Sequence, residues 1–187
     1  MNIAGILLAA GSSTRFGRDK LVEPLGETTI AVQSAINILP HVQSLYVVIT
    51  ADNHTLAQHF ENLPLIVVPC AHSHLGMAAS LVYGIQQSSN YDGWMIALAD
   101  MPFIQNNVYT QIIFAAQQGH DIVAPFYRGQ RGHPVFISKQ YKTELLQLCG
   151  DFGARDLLRT HANEIHAVDA EDNDIFRDID YPADLIE

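Results

Sequence analysis

An apolar run, Ile3 to Leu8, passes without a break into Ala9-Ala10-Gly11-Ser12-Ser13-Thr14-Arg15-Phe16-Gly17-Arg18-Asp19-Lys20. A strand that is apolar on both faces belongs in the middle of a sheet covered on both sides. The small-residue loop at its end then lies at the carboxyl edge of that sheet, where open α/β sheets bind ligands. Gly11 and Gly17 permit close backbone approach, and Arg15, Arg18 and Lys20 bring positive charge opposed only by Asp19. This combination suits a polyphosphate.

The rest of the chain repeats the strand–helix alternation. Strands are expected over Ile3–Leu8, Leu45–Ile49, Leu65–Val68, Trp94–Leu98, Asp121–Ala124, Val135–Ile137 and Ile165–Val168. Helices are expected over Thr28–Leu39, from Asn53 toward Phe60, over Ala78–Gln87 and Asn107–Gln117, after Ser138, and from near Gly153. Pro125 to Gly132 reads as a loop. Alternation of this kind implies right-handed crossovers and a mostly parallel sheet. The expectation is a single domain over residues 1–187, with a Rossmann-like sheet in a three-layer α/β/α sandwich.

Charge and composition remove several classes of function. With 10 basic and 20 acidic side chains the net charge is −10, which disfavours nucleic acid as a partner. No apolar run reaches membrane-spanning length, and the first residues enter a strand directly rather than forming a signal peptide. The two cysteines, Cys70 and Cys149, form no CxxC pair, which fits a reducing, cytoplasmic setting. Eight acids against the single Arg177 mark the stretch from Val168 to Glu187. Most would form a solvated face, and one or two could instead meet a divalent cation.

Neither G-x-x-x-x-G-K-[ST] nor G-x-G-x-x-G is present, so the first loop is no ordinary phosphate-binding motif. Asp100 follows the strand Trp94–Leu98 and should face the same crevice as the loop. A carboxylate beside a triphosphate requires a mediator, and Mg²⁺ is commonly held by one or two carboxylates plus substrate phosphates. A turn or cap role for Asp100 is the plainer alternative. Gly76 opens a helix at Met77-Ala78-Ala79-Ser80, whose first amides could take an anion or a base edge. Arg128-Gly129-Gln130-Arg131-Gly132-His133-Pro134-Val135 suits an anionic ligand or an exposed hairpin. Gly150-Asp151-Phe152-Gly153-Ala154-Arg155 places Arg155 at a turn, either toward a second substrate's phosphate or simply beside an Asp cap. The histidines lack zinc-ligand spacing.

Taken together, these stretches and Asp178-Ile179-Asp180-Tyr181-Pro182-Ala183-Asp184 resemble the MobA-like nucleotidyltransferases, nearest the molybdenum cofactor cytidylyltransferases, and the fold type is that of the nucleotide-diphospho-sugar transferases. The resemblance implies transfer of CMP from CTP to the terminal phosphate of a molybdopterin-type acceptor, with pyrophosphate released. It implies nucleotide binding by Leu8, Ala9, Ala10, Gly11, Ser12, Ser13, Arg15, Lys20, Gly76, Met77 and Ser80. Arg15, Lys20 and Asp100 would be catalytic, Asp100 and Asp180 would hold Mg²⁺, and Arg131, His133 and Arg155 would bind the acceptor. Guanylyl-transferring members carry Gly-Gly where this chain has Ala10-Gly11, so Ala10 favours CTP. Tyr181 and Ala183 depart from the family's C-terminal Asp-Thr-Pro-Glu-Asp, and Asp19 stands where Pro is usual. A molybdoenzyme client would receive the product. The rivals are transfer to a sugar or polyol phosphate, a molybdopterin carrier without enzymatic activity, and a nucleotide sensor.

Overall fold

The computed structural model describes residues 1–11 and 16–185. Its elements run in chain order β1 (Ile3–Ala9), β2 (Pro24–Leu25), β3 (Thr28–Thr29), α1 (Ile30–Ile38), β4 (Ser44–Thr50), α2 (His54–His59), β5 (Ile66–Cys70), α3 (Met77–Gln87), β6 (Gly93–Leu98) and α4 (Asn106–Gln117). The second half contributes β7 (Ile122–Tyr127), β8 (Gln130–Arg131), β9 (Val135–Ser138), α5 (Lys142–Leu145), α6 (Arg155–Thr160) and β10 (Ile165–Asp169). The central sheet has the order β10-β7-β9-β6-β1-β4-β5, with β8 paired to β7, and β2 and β3 form a separate hairpin.

β1 is buried throughout because parallel neighbours flank it, β4 on one side and β6 on the other. Its residues alternate between two cores, as the period of a strand requires. Ile3 and Leu7 share one core with Ile30, Ala31 and Ile38 of α1 and Val108 and Ile112 of α4. Ala4, Ile6 and Leu8 share the other with Leu81 and Ile85 of α3 and Leu157 and Leu158 of α6. The result is the expected three-layer α/β/α arrangement around a mostly parallel sheet. Among the described residues, no helix is long and apolar enough to cross a membrane.

The expected alternation misses three features. β9 runs antiparallel between β6 and β7. β7 continues through Pro125 to Tyr127 and turns back into β8, so part of the expected Pro125–Gly132 loop is a tight hairpin. Arg128 (φ 50°) and Gly129 (φ 79°) form its tip, the pair of positive φ values that a two-residue hairpin turn requires. The β2–β3 hairpin is likewise additional.

Register explains how distant residues converge. Leu8 of β1 lies opposite Leu98 of β6, and Ala99 N donates to Leu8 O (3.0 Å). The loop after β1 and the segment Ala99–Pro102 after β6 therefore leave adjacent strands at the same edge. α1 supports that segment from below: Ser34 Oγ lies 2.9 Å from Ala99 O, and Asn37 Nδ2 donates to Pro102 O at 2.7 Å. From above, Ile179 N donates to Asp100 O (2.9 Å), so the C-terminal stretch closes over the edge.

Replacing Ser34 with Ala strips the fully enclosed Ala99 carbonyl of its partner in α1. We expect a loss of about 1–2 kcal/mol in urea unfolding, the usual consequence of orphaning a buried acceptor. An unchanged midpoint would show that the Ser34 proton serves Ile30 O instead.

Candidate active site

Lys20 opens a 3₁₀ turn, Lys20–Val22, capped by Asp19, whose carboxylate accepts from Leu21 N (3.1 Å) and from Asn53 Nδ2 (2.7 Å). Those bonds fix the direction in which the Lys20 side chain leaves the backbone. Its ammonium donates to Asp100 Oδ2 and Asp180 Oδ1, both at 2.9 Å. The Lys20 side chain is only 11% exposed, so its charge must be paired to be tolerated. Burial works against the ammonium, but Asp100 and Asp180 outweigh it, and the Lys20 pKa lies above its ordinary value.

Asp178 joins this group: one carboxylate oxygen from each of Asp100, Asp178 and Asp180 lies within 4.8 Å of the others. The Asp178 pKa is raised, first by desolvation and then by the facing charges of Asp100 and Asp180. Residues 178 and 180 alternate around Ile179, which is completely buried, so the extended backbone presents both acids to Asp100. The sequence had offered Asp180 without Asp178; the spacing of Asp178-Ile179-Asp180 on an extended segment was the available signal.

A cavity of about 780 Å³ opens beside this cluster. Leu8, Ala9, Ala10, Gly11, Lys20, Gly76, Met77, Ser80 and Asp100 all line it, so every described residue expected to bind nucleotide is gathered there. Ser12, Ser13 and Arg15 lie outside the described residues. Arg18 is no part of the wall: its guanidinium pairs with Glu23 and its side chain is 66% exposed. Thr50, Asp52, Cys70 and His74 line the cavity too, unforeseen from sequence. Thr50 and Cys70 end β4 and β5; β4 runs parallel beside β1 and β5 parallel beside β4, so both strands deliver their carboxyl ends to the same edge.

The start of α3 is more constrained than the sequence suggested. Gly76 takes φ 110°, and a Cβ there would sit 2.4 Å from Asp151 Oδ1 and 2.5 Å from Gly150 O. Ala78 N already donates to Gly150 O (3.0 Å), so this amide is not free for an anion. The contact instead docks α3 onto the turn 150–153, and Asp151 thereby reaches the cavity wall.

A second cavity, about 340 Å³, shares Leu8, Met77 and Leu98 with the first and is lined by Arg131, His133, Phe152 and Arg155. The three expected acceptor residues are thus brought together. Among the described residues no carboxylate pairs with Arg131 or Arg155. Arg131 is held below its ordinary pKa, first by burial and then by the positive charge of Arg155. Two guanidiniums in one cavity wall, each unfavourable to the other, suit an anionic ligand. The loop carrying Arg131 is locked from behind, where Gly132 leaves no room for a side chain: a Cβ would meet Ile175 O at 2.5 Å.

The model of the MobA-like NTP transferase domain matches residues 5–165. The chain belongs to that family. The molybdenum cofactor cytidylyltransferase of Escherichia coli (strain K12) is 24% identical over 181 residues, covering 97% of this chain and 92% of that protein. The molybdenum cofactor guanylyltransferase of Rhizobium johnstonii is 28% identical, covering 100% of this chain and 91% of the relative. A solved nucleotidyl transferase from Methanothermobacter thermautotroptrophicus superposes with a TM-score of 0.84 at 20% identity, over 99% of this chain and 94% of that one. Family membership makes the chain a nucleotidyltransferase.

His133 supplies a pH test of this site. Its Nδ1 is sealed from water without a hydrogen-bond partner. Burial first, then Arg131, depress its pKa to about 4, against an opposing pull from Asp100. A depressed histidine pKa means that the unfolded chain takes up the proton first. Stability therefore falls as pH drops from about 6.5 to about 4. The full effect is about 3 kcal/mol, at about 1.4 kcal/mol per pKa unit. Urea unfolding at pH 7 and pH 5 should show a smaller difference for His133→Gln than for the parent; equal differences would place the titration elsewhere.

Proposed function

We propose that residues 1–187 form one nucleotidyltransferase domain that transfers CMP from CTP to the terminal phosphate of a molybdopterin-type acceptor. The observation that carries the reading is the pair of adjoining cavities. One meets Lys20 and Asp100 at its rim, and the other holds Arg131 and Arg155 without a carboxylate partner. A triphosphate in the first and an anionic acceptor in the second would meet at the shared wall of Leu8, Met77 and Leu98. Relatives named for molybdenum cofactor cytidylyl and guanylyl transfer support the acceptor class. Ala10 in the cavity wall supports CTP, since guanylyl transfer is associated with glycine at that place.

The chemistry needs no covalent intermediate. The acceptor phosphate attacks the α-phosphorus in line, a P–O bond forms, and the bond to pyrophosphate breaks. The protein positions the reactants and neutralises charge. Lys20, with Arg15 in the same loop, would balance charge on the leaving pyrophosphate, while Arg131, His133 and Arg155 would hold the acceptor. Ala9 to Ser13 would wrap the triphosphate with backbone amides, with Gly76, Met77 and Ser80 opposite. The oxygens of Asp100, Asp178 and Asp180 are hard donors and fit Mg²⁺, which is bound through carboxylates and substrate phosphates. Bound there, Mg²⁺ would offset negative charge on the triphosphate.

Pyrophosphate release should be measured with CTP, GTP, UTP and ATP, with and without molybdopterin. Release with CTP and molybdopterin is expected, and Asp100→Asn should abolish the Mg²⁺-dependent rate. Preference for GTP would overturn the base assignment, release with a polyol phosphate alone the acceptor, and no release at all the transfer itself. Lys20 gives a second test without turnover. Its ammonium occupies the same oxygens a cation would use, so Lys20→Met should bind Mn²⁺ several-fold more tightly in calorimetry without nucleotide. Unchanged or weaker binding would separate Lys20 from the metal position.

A further inference from the structure

Phe152 lines the second cavity and has no part in the transfer chemistry itself. It is 61% exposed, and what sets it apart from a scattered surface ring is its place on a cavity wall beside Met77 and two arginines. The turn that bears it is not loose. Gly150 O holds Ala78 N at 3.0 Å, and Arg155 N donates to Phe152 O at 2.9 Å. Arg155 sets its guanidinium carbon 6.0 Å from the ring centroid. Met77, itself 43% exposed, packs on the same turn, its Sδ only 3.0 Å from where a Gly153 Cβ would be. The cavity thus offers a phenyl ring and a thioether together with two cationic forks.

We infer that Phe152, with Met77, is a stacking platform that selects acceptors bearing a planar heteroaromatic ring, while Arg131 and Arg155 take the acceptor's anionic groups. The inference rests on the second cavity being the acceptor site and adds to that reading the shape of the acceptor. An aromatic face and a polarisable sulfur both favour a flat ring over a flexible polyol, which would leave them uncovered. Arg155 serves both functions, since a guanidinium near an aromatic ring still directs its N–H groups to a phosphate. Phe152 is a positioning residue, removed from the bond-making phosphorus.

Binding without turnover tests this. The probes are neopterin monophosphate, followed by its fluorescence, and ribitol phosphate, followed by calorimetry, on the full chain without nucleotide. Stacking should favour the pterin by about tenfold. Phe152→Ala should erase that preference while leaving ribitol phosphate affinity unchanged, and Phe152→Trp should restore it. Arg155→Gln should weaken both probes together. Equal affinities in the parent, or a pterin preference that survives Phe152→Ala, would overturn the platform. CTP binding serves as the control for folding, because Phe152 does not line the nucleotide cavity. If no nucleotide supports pyrophosphate release yet Phe152 governs pterin affinity, the transfer reading fails and the platform stands.

Discussion

The ammonium of Lys20, held at 2.9 Å by both Asp100 and Asp180, joins three segments that the chain separates by 80 and 160 residues. A nearly buried cation cannot be left alone, and charge-assisted bonds of this kind are among the stronger contacts available to a fold. Their consequence is architectural as well as chemical. With Ile179 N on Asp100 O, they clamp the acidic C-terminal stretch over the carboxyl edge of the sheet. What composition presents as a solvated tail thereby contributes two carboxylates to the centre of the site. The sheet supplies the rest of the convergence, since β1 and β6 are adjacent and in register at Leu8 and Leu98.

How much of this was legible follows from the range over which each feature is determined. β1 was readable because continuous apolar residues in a short run have one comfortable location, between two helical layers. Asp100 was readable because a residue just past a buried parallel strand must emerge at the ligand edge. The Asn53 cap of α2 and the Ser138 cap after β9 were local side-chain chemistry and were found as such. β9 was placed but not its direction, because strand direction depends on where the chain returns, and Val135–Ser138 carries no mark of it. β8 has two residues and exists only through pairing with β7. Thr50 and Cys70 were missed for the same reason, since their places on the wall come from strands far away in sequence, whereas Asp178 was missed although its spacing from Asp180 carried a local signal. The pairing of Arg18 with Glu23 was not legible either, since it depends on where the two side chains meet in the fold.

The two cavities divide the electrostatics of a chain whose net charge is −10. Carboxylates gather at the rim of the larger, and uncompensated guanidiniums line the smaller. A long-range negative field slows the approach of anionic ligands and makes local positive charge more selective. A bare triphosphate would meet Asp100, Asp178 and Asp180 unfavourably, whereas one carrying a divalent cation would not. The smaller cavity presents the opposite condition, because the positive charges of Arg131 and Arg155 oppose one another there and an anion would offset them.

That division also locates where specificity can change. The wall of the larger cavity includes a run of small residues, Ala9, Ala10, Gly11 and Gly76, whose geometry is set by β1 and by the packing of Gly76 against Gly150 and Asp151. Substitution there disturbs the sheet edge or the start of α3. The smaller cavity draws long side chains from a hairpin and a turn, Arg131 after the β7–β8 reversal, Phe152 before α6 and Arg155 at its first residue. Phe152 and Arg155 can change with little effect on either core, since both are exposed.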